Sequence, residues 1–254
     1  MKWVVALCVV AVVLVAALLL LLPPVQQARI HTRTMWSGNN LKNLGLAAHN
    51  DAETFPGVLP GYSMRDDGTP LHGWTTFLLP FIDQTPLYDR VNFAILWDDP
   101  EQAAVFDESF SLIVNPSMTE REANTIDYAG NVRLLKPVEV GGVRESFPQR
   151  EPIDAPRDGM SANCPDGAGQ TIAFGEIVYN RPAWGRPGNL RDPAMPLGTK
   201  RGFGGVMDSP RDSLVSAQFT FADATVRELS GRVDPAVLKA LATPDGGDDP
   251  GEGW

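Results

Sequence analysis

The first feature of the chain is a run of twenty uncharged, mostly apolar positions, Trp3 to Leu22, behind Met1 and Lys2. In a helix rising 1.5 Å per residue, about 20 such residues match the hydrocarbon core of a bilayer. The run is longer than the apolar region of a cleaved secretory leader, and no small-x-small cleavage site follows it. Five leucines, Leu18 to Leu22, lead instead into Pro23-Pro24. Residues 1–24 are therefore expected to be an uncleaved transmembrane anchor, with the lipid bilayer as the partner of Trp3–Leu22. Further on, Leu41, Leu44 and Ala48 recur at helical spacing. Either Ser37 or Asn39 caps that stretch, or Gly38 sits inside one longer helix continuing from the apolar run. Residues 25–50 are expected to be a helical stalk and spine, and residues 51–243 an α+β head.

Within the head the pattern changes repeatedly. Trp74 to Ile82 is an apolar segment interrupted by Pro80, which reads as a short helix or strand. Pro100 to Phe110 reads as helical. Residues 132–166 and 181–210, thick with Gly and Pro, read as long loops. Thr171 to Tyr179 is a strand candidate. Val215, Ala217, Phe219 and Phe221 alternate with polar residues, predicting a half-buried strand. Ala222-Asp223-Ala224 makes a turn and Thr225 to Leu229 returns as its partner. Asp234-Pro235 supplies an N-cap and a proline at the first helical position, opening a helix with Leu238 and Leu241 on its apolar face. Residues 244–254, acidic and glycine-rich, are expected to be a disordered tail.

Composition sharpens this outline. Gly 24 and Pro 22 in 254 residues favour short strands and loops over a helical bundle. The formal charge of −10 argues against nucleic acid as a partner, because phosphate binding needs a basic face. The three histidines, His31, His49 and His72, lack metal-ligand spacing, and no cysteine lies near them. No G-x-S-x-G occurs, and the glycine-rich pieces lack the setting and lysine of a phosphate loop. The acidic pairs Asp66-Asp67, Asp98-Asp99 and Asp248-Asp249 lack the periodicity of a calcium loop. These absences lead us to expect no enzyme, no catalytic or metal-binding residues and no cofactor. Cys8 lies in the apolar run and Cys164 in a loop, so the two are not expected to pair. Trp74, Trp97 and Trp184 are candidates to line a ligand site, with core packing as the competing reading.

Several blocks, in order along the chain, resemble the bacterial family called domain of unknown function 1559. They are LLPPVQQAR (Leu21–Arg29), MWSGNNLKNLGLAAHN (Met35–Asn50), HGWTTFLLPFIDQTPLYDRVNF (His72–Phe93), DGAGQTIAFGE (Asp166–Glu176), PAMPLG (Pro193–Gly198), FADATVRELS (Phe221–Ser230) and DPAVLKALAT (Asp234–Thr243). The resemblance implies a pilin-like body, with a long N-terminal helix, membrane-embedded in its first half, packed on an antiparallel β-sheet head with long loops. It also implies a single-pass protein of the cytoplasmic membrane with an extracytoplasmic head. The flanking charges lean the other way: Arg29 and Arg33 follow the run, against Lys2 and the amino terminus before it.

The chain also departs from the family. The apolar run lacks the Gly-Phe-Thr-Leu-Ile-Glu of a prepilin leader and carries no acid. The assembly contact such an acid makes is thereby removed, which weighs against filament incorporation. Ser37 and Asn115 stand where the family has two cysteines; their joint replacement suggests that those two form one disulfide. The family signature of His, nine residues and Asp-Gly becomes Ser213 and Asp223-Ala224, and a glycine at that turn would supply a positive φ without strain. The expected function is that of a membrane-anchored, pseudopilin-like cell-envelope protein with a structural or interaction role, whose further partners would be other pilin-like or envelope proteins. The competing class is an extracytoplasmic module that binds a solute or carbohydrate.

Overall fold

The computed structural model describes residues 2–55, 59–118, 122–139, 160, 163–205, 215–251, 253 and 254. Within the first helix it leaves undescribed the side chains of 8, 12, 13, 15–25 and 27. The first element, α1, is one unbroken helix, Lys2–Thr54, so Gly38 lies inside it rather than before a cap. Among the described residues no helix is long and apolar enough to cross a membrane. Eleven positions of the Trp3–Leu22 run, namely 8, 12, 13 and 15–22, have side chains outside that description.

Among the described residues eight strands follow in two sheets. Strands β1 (Pro60–Met64), β2 (Pro70–Gly73) and β4 (Lys136–Glu139) form a small sheet in the order β2-β1-β4. The main sheet has the order β6-β3-β5-β7-β8, from β3 (Tyr128–Asn131), β5 (Ile172–Glu176), β6 (Leu190–Arg191), β7 (Ser216–Phe221) and β8 (Val226–Ser230). Neither is wholly antiparallel: the small sheet has one antiparallel pair and one parallel, β1 with β4, and the main sheet is antiparallel except where β3 runs parallel to β6. The molecule is thus α+β with a long N-terminal helix. The helix expected over 100–110 contracts to α4 (Ala103–Phe106). Ahead of it, the Gln102 side chain bonds the Leu96 carbonyl and the Asn92 amide, and the backbone turns at Asp99 instead of winding. Trp74–Leu78 forms α2, and Pro80 falls in a following 3₁₀ turn, Leu79–Phe81. Thr85–Tyr88 makes the short α3.

The second half of α1 is the spine. Leu41, Leu44 and Ala48, the face expected from their spacing, are buried, and so is Ala47. They pack in one core with Trp74, Tyr128, Phe174 and Trp184. The far side of the main sheet carries a second core, in which Phe219 and Phe221 meet Leu238 and Leu241 of α5 (Pro235–Ala242). That helix starts as expected, with the Asp234 carboxylate accepting the Ala236 amide at 2.8 Å.

Strand β7 is not half-buried. Its polar residues Gln218 and Thr220 are buried like the alternating aromatics, because α1 lies directly on them. Two glycines allow the approach: a Cβ at Gly38 would sit 2.7 Å from the Gln218 Oε1, and one at Gly45 2.6 Å from the Thr220 Oγ1. Gln218 Nε2 donates in turn to the Thr34 carbonyl at 3.1 Å. The loop between β7 and β8 is closed by the Ala224 amide on the Phe221 carbonyl. Ala224 lies at φ 61°, in the left-handed region where the family places glycine. Ser213 and the greater part of the 132–166 loop lie outside the described residues. In the tail, Gly247 donates to the Asp166 carboxylate, and the Trp254 ring lies 5.4 Å from that of Phe221 with the Arg227 guanidinium against both.

Candidate functional site

The residues singled out for chemistry fall into separate parts of the fold. Trp74 and Trp184 are fully buried, and each indole N–H is spent on a backbone carbonyl, Asn189 and Glu108 respectively. Trp97 lies edge-on to Phe106, which itself packs on Trp184. Trp74 and Trp184 belong to the core, and the partly buried Trp97 packs against it. His31 is exposed, and His49 pairs with Glu53 one turn along α1 at 3.2 Å. His72 is buried between Phe93 and Phe106, where desolvation pushes its pKa down to about 4. Among the described residues no three His, Cys, Asp or Glu side chains converge as metal ligands.

The acidic pairs serve turns. Asp67 accepts the Thr69 amide, which lowers its pKa, and Asp99 and Asp249 each accept an amide two residues on. Cys164 is free and buried, and desolvation raises its thiol to about 11, so it stays unreactive at neutral pH.

One polar cluster went unrecognised from the sequence. Glu176, at the end of β5, is buried where α1, β3, β7 and the loop after residue 113 converge. One carboxylate oxygen, Oε2, accepts the Gln218 amide of β7 at 2.9 Å. The other, Oε1, accepts from the Ser37 hydroxyl of α1 and from Asn115 Nδ2 at 2.9 Å. Ser37 also meets the Tyr128 hydroxyl at 3.0 Å, to which Asn40 Nδ2 donates. Beside it the buried Asp127 accepts the Asn115 amide at 2.8 Å and Arg181 Nη1 at 3.0 Å.

All the donors to Glu176 are neutral, and burial dominates its titration, raising its pKa to about 7. The cluster is sealed from solvent and ties the spine helix to the sheet. Ser37 and Asn115 meet here on a single carboxylate oxygen, so the two positions implied to form the family disulfide are indeed brought together. The available signal was a lone carboxylate closing an otherwise apolar strand, TIAFGE.

Two surface features remain. An open groove of about 730 Å³ runs between α1 and the β7–β8 hairpin, lined by Met35, Lys42 and Leu46 on one side and by Asp223, Thr225 and Val226 on the other. The second is the N-terminal part of α1. The described side chains of this part stand bare: Trp3 is 88% exposed, Leu7 75% and Leu14 65%.

Comparison with known proteins gives one family match. The model named SBP_bac_10, described as a protein of unknown function (DUF1559), matches residues 26–213. No curated protein and no solved structure matches the chain.

Proposed function

The chain belongs to the DUF1559 family, and from that premise we propose that it is a membrane-anchored, pseudopilin-like cell-envelope protein that works through its surfaces rather than through bond chemistry. The observation that carries this reading is the division of α1. From Ser37 onward the helix is the spine of the head. Before it, seven described large apolar side chains, Trp3, Val4, Val5, Leu7, Val9, Val10 and Leu14, are more than half exposed. At about 1.5–3 kcal/mol for each such side chain, their burial is worth on the order of 10 kcal/mol or more, comparable with the stability of a whole domain. A helix apolar on all sides belongs in a lipid or protein interior. The run has the length for lipid, and it lacks the acid that would aim it at a filament core.

In this reading the head lies on the extracytoplasmic side, as the resemblance to the family's pilin-like pattern suggests. Alkaline extraction of membranes tests the anchor: the protein should stay in the pellet, and release with peripheral proteins would contradict it. Protease added to intact spheroplasts tests the side, and should cleave the head without lysis.

A second reading, a module that binds a solute or carbohydrate, is favoured by the open groove and by the short name of the family model. A sugar panel read by thermal unfolding separates the two. A ligand at a hundred times its Kd should add about 2.7 kcal/mol of stability, and an unmoved transition across the panel would leave only the surface role.

A further inference from the structure

Charge is segregated along this chain. The first fifty residues hold Lys2, Arg29, Arg33 and Lys42 and no carboxylate; all 31 acidic side chains follow, with the 17 other basic ones. Arg29 and Arg33 are exposed on the bare part of α1, one helical turn apart and so on one face. Among the described residues neither has an ion-pair partner.

Resting on the anchor reading above, we infer that Arg29 and Arg33 form a collar that binds anionic lipid headgroups, while the stalk holds the acidic head clear of the same surface. The geometry follows from the continuous helix. With Leu22 at the hydrocarbon edge and ~1.5 Å per residue, Arg29 lies roughly 10 Å out, Arg33 roughly 16 Å, and Ser37, where the head begins, roughly 22 Å.

Side chains on a helix lean toward its N-terminus, here toward the bilayer, and arginine extends a long apolar stem that lets its charge reach down. Arg29 therefore reaches the headgroup layer, and Arg33 stands within about one Debye length of it. The head begins about two Debye lengths, of ~8 Å each, from the headgroup layer, so its excess of carboxylates is largely screened from an anionic surface. A shorter stalk would set the acidic body against the lipid that the arginines attract.

The test uses the full chain and the Arg29→Gln/Arg33→Gln variant. Both side chains are exposed, and glutamine is a good helix former, so the fold should be unaffected. Each protein is reconstituted in vesicles of equal phosphatidylcholine and phosphatidylglycerol and floated at alkaline pH. It is then extracted in mild detergent, and its bound lipids are counted by mass spectrometry. We expect both proteins to float. The wild type should retain phosphatidylglycerol several-fold above the input ratio, up to roughly fivefold per arginine at low salt, and the variant should fall to the input ratio. Floating with equal enrichment in both proteins overturns the collar and leaves the anchor standing. Failure of both to float overturns the anchor and the collar with it.

Discussion

Two buried groups, Glu176 and His72, have titrations displaced in opposite directions, and together they dictate an unusual stability profile. Burial raises Glu176 to about 7 from an ordinary 4.5. As pH rises from 4.5 to 7, the unfolded chain releases a proton that the folded chain keeps, so stability falls. Burial lowers His72 to about 4 from 6.5. As pH falls from 6.5 to 4, the unfolded chain takes up a proton that the folded chain refuses, so stability falls again. At about 1.4 kcal/mol per pH unit, each effect amounts to roughly 3 kcal/mol.

Between pH 4.5 and 6.5 the two slopes oppose each other and cancel, so neither is visible in the wild type. Removing one partner exposes the other. Urea unfolding of the full chain in mild detergent, from pH 4 to 7.5, should show Glu176→Gln gaining roughly 3 kcal/mol on the wild type between pH 4.5 and 7. His72→Leu should lose its disadvantage toward low pH by a similar amount. Using the difference between variant and wild type removes the titration of every other group. A Glu176→Gln profile that runs parallel to the wild type across that window would refute the reasoning, since Glu176 would then ionise in the folded protein as it does unfolded.

Other substitutions probe the contact between spine and sheet. Gly45→Ala should destabilise by about 1–3 kcal/mol in urea unfolding although alanine is the better helix former, because the new methyl would meet Thr220 Oγ1 at 2.6 Å and Ala224 Cα at 3.1 Å. Ser37→Ala should cost about 1–3 kcal/mol, since it strips a donor from a buried carboxylate and a partner from the Tyr128 hydroxyl. Ala224→Gly should change stability by no more than about 1 kcal/mol: it relieves the left-handed strain at φ 61° but gives up a buried methyl and adds unfolded-state entropy. Cys164 should resist alkylation by a neutral maleimide until the protein unfolds, because its thiol is both buried and held protonated.

The elements legible in the sequence are those whose signal is local. The spine face at Leu41, Leu44 and Ala48, the alternation from Val215 to Phe221 and the Asp234-Pro235 cap each encode their structure within a few residues. The small sheet does not. Strands β1 and β2 are PGYSM and PLHG, with the residues that ordinarily punctuate loops. They become strands because β1 pairs in parallel with β4, more than seventy residues later, a long-range partner that no local pattern reveals.

Burial was misjudged on β7 for a related reason. Gln218 and Thr220 read as solvent-facing, and only the close approach of Gly38 and Gly45 on α1 covers them. Of the Glu176 cluster the sequence shows only the lone carboxylate at the end of TIAFGE, since its partners come from several distant segments. For the tryptophans the sequence leaves two readings open, a ligand site and core packing, and Trp74 and Trp184 follow the second. Their suitability for stacking on a ligand is the same property that fills a core, and only their spent N–H groups tell the two apart.

Whether the N-terminal half of α1 is a permanent anchor is tested most directly by the intact mass of the protein purified from membranes, with its N-terminal peptide sequenced. The account predicts a membrane-bound form that retains the whole Trp3–Leu22 run. Recovery of a shorter, soluble form lacking that run would contradict the anchor. An N-terminus trimmed by a few residues and methylated would contradict the static reading and point instead to assembly into a filament.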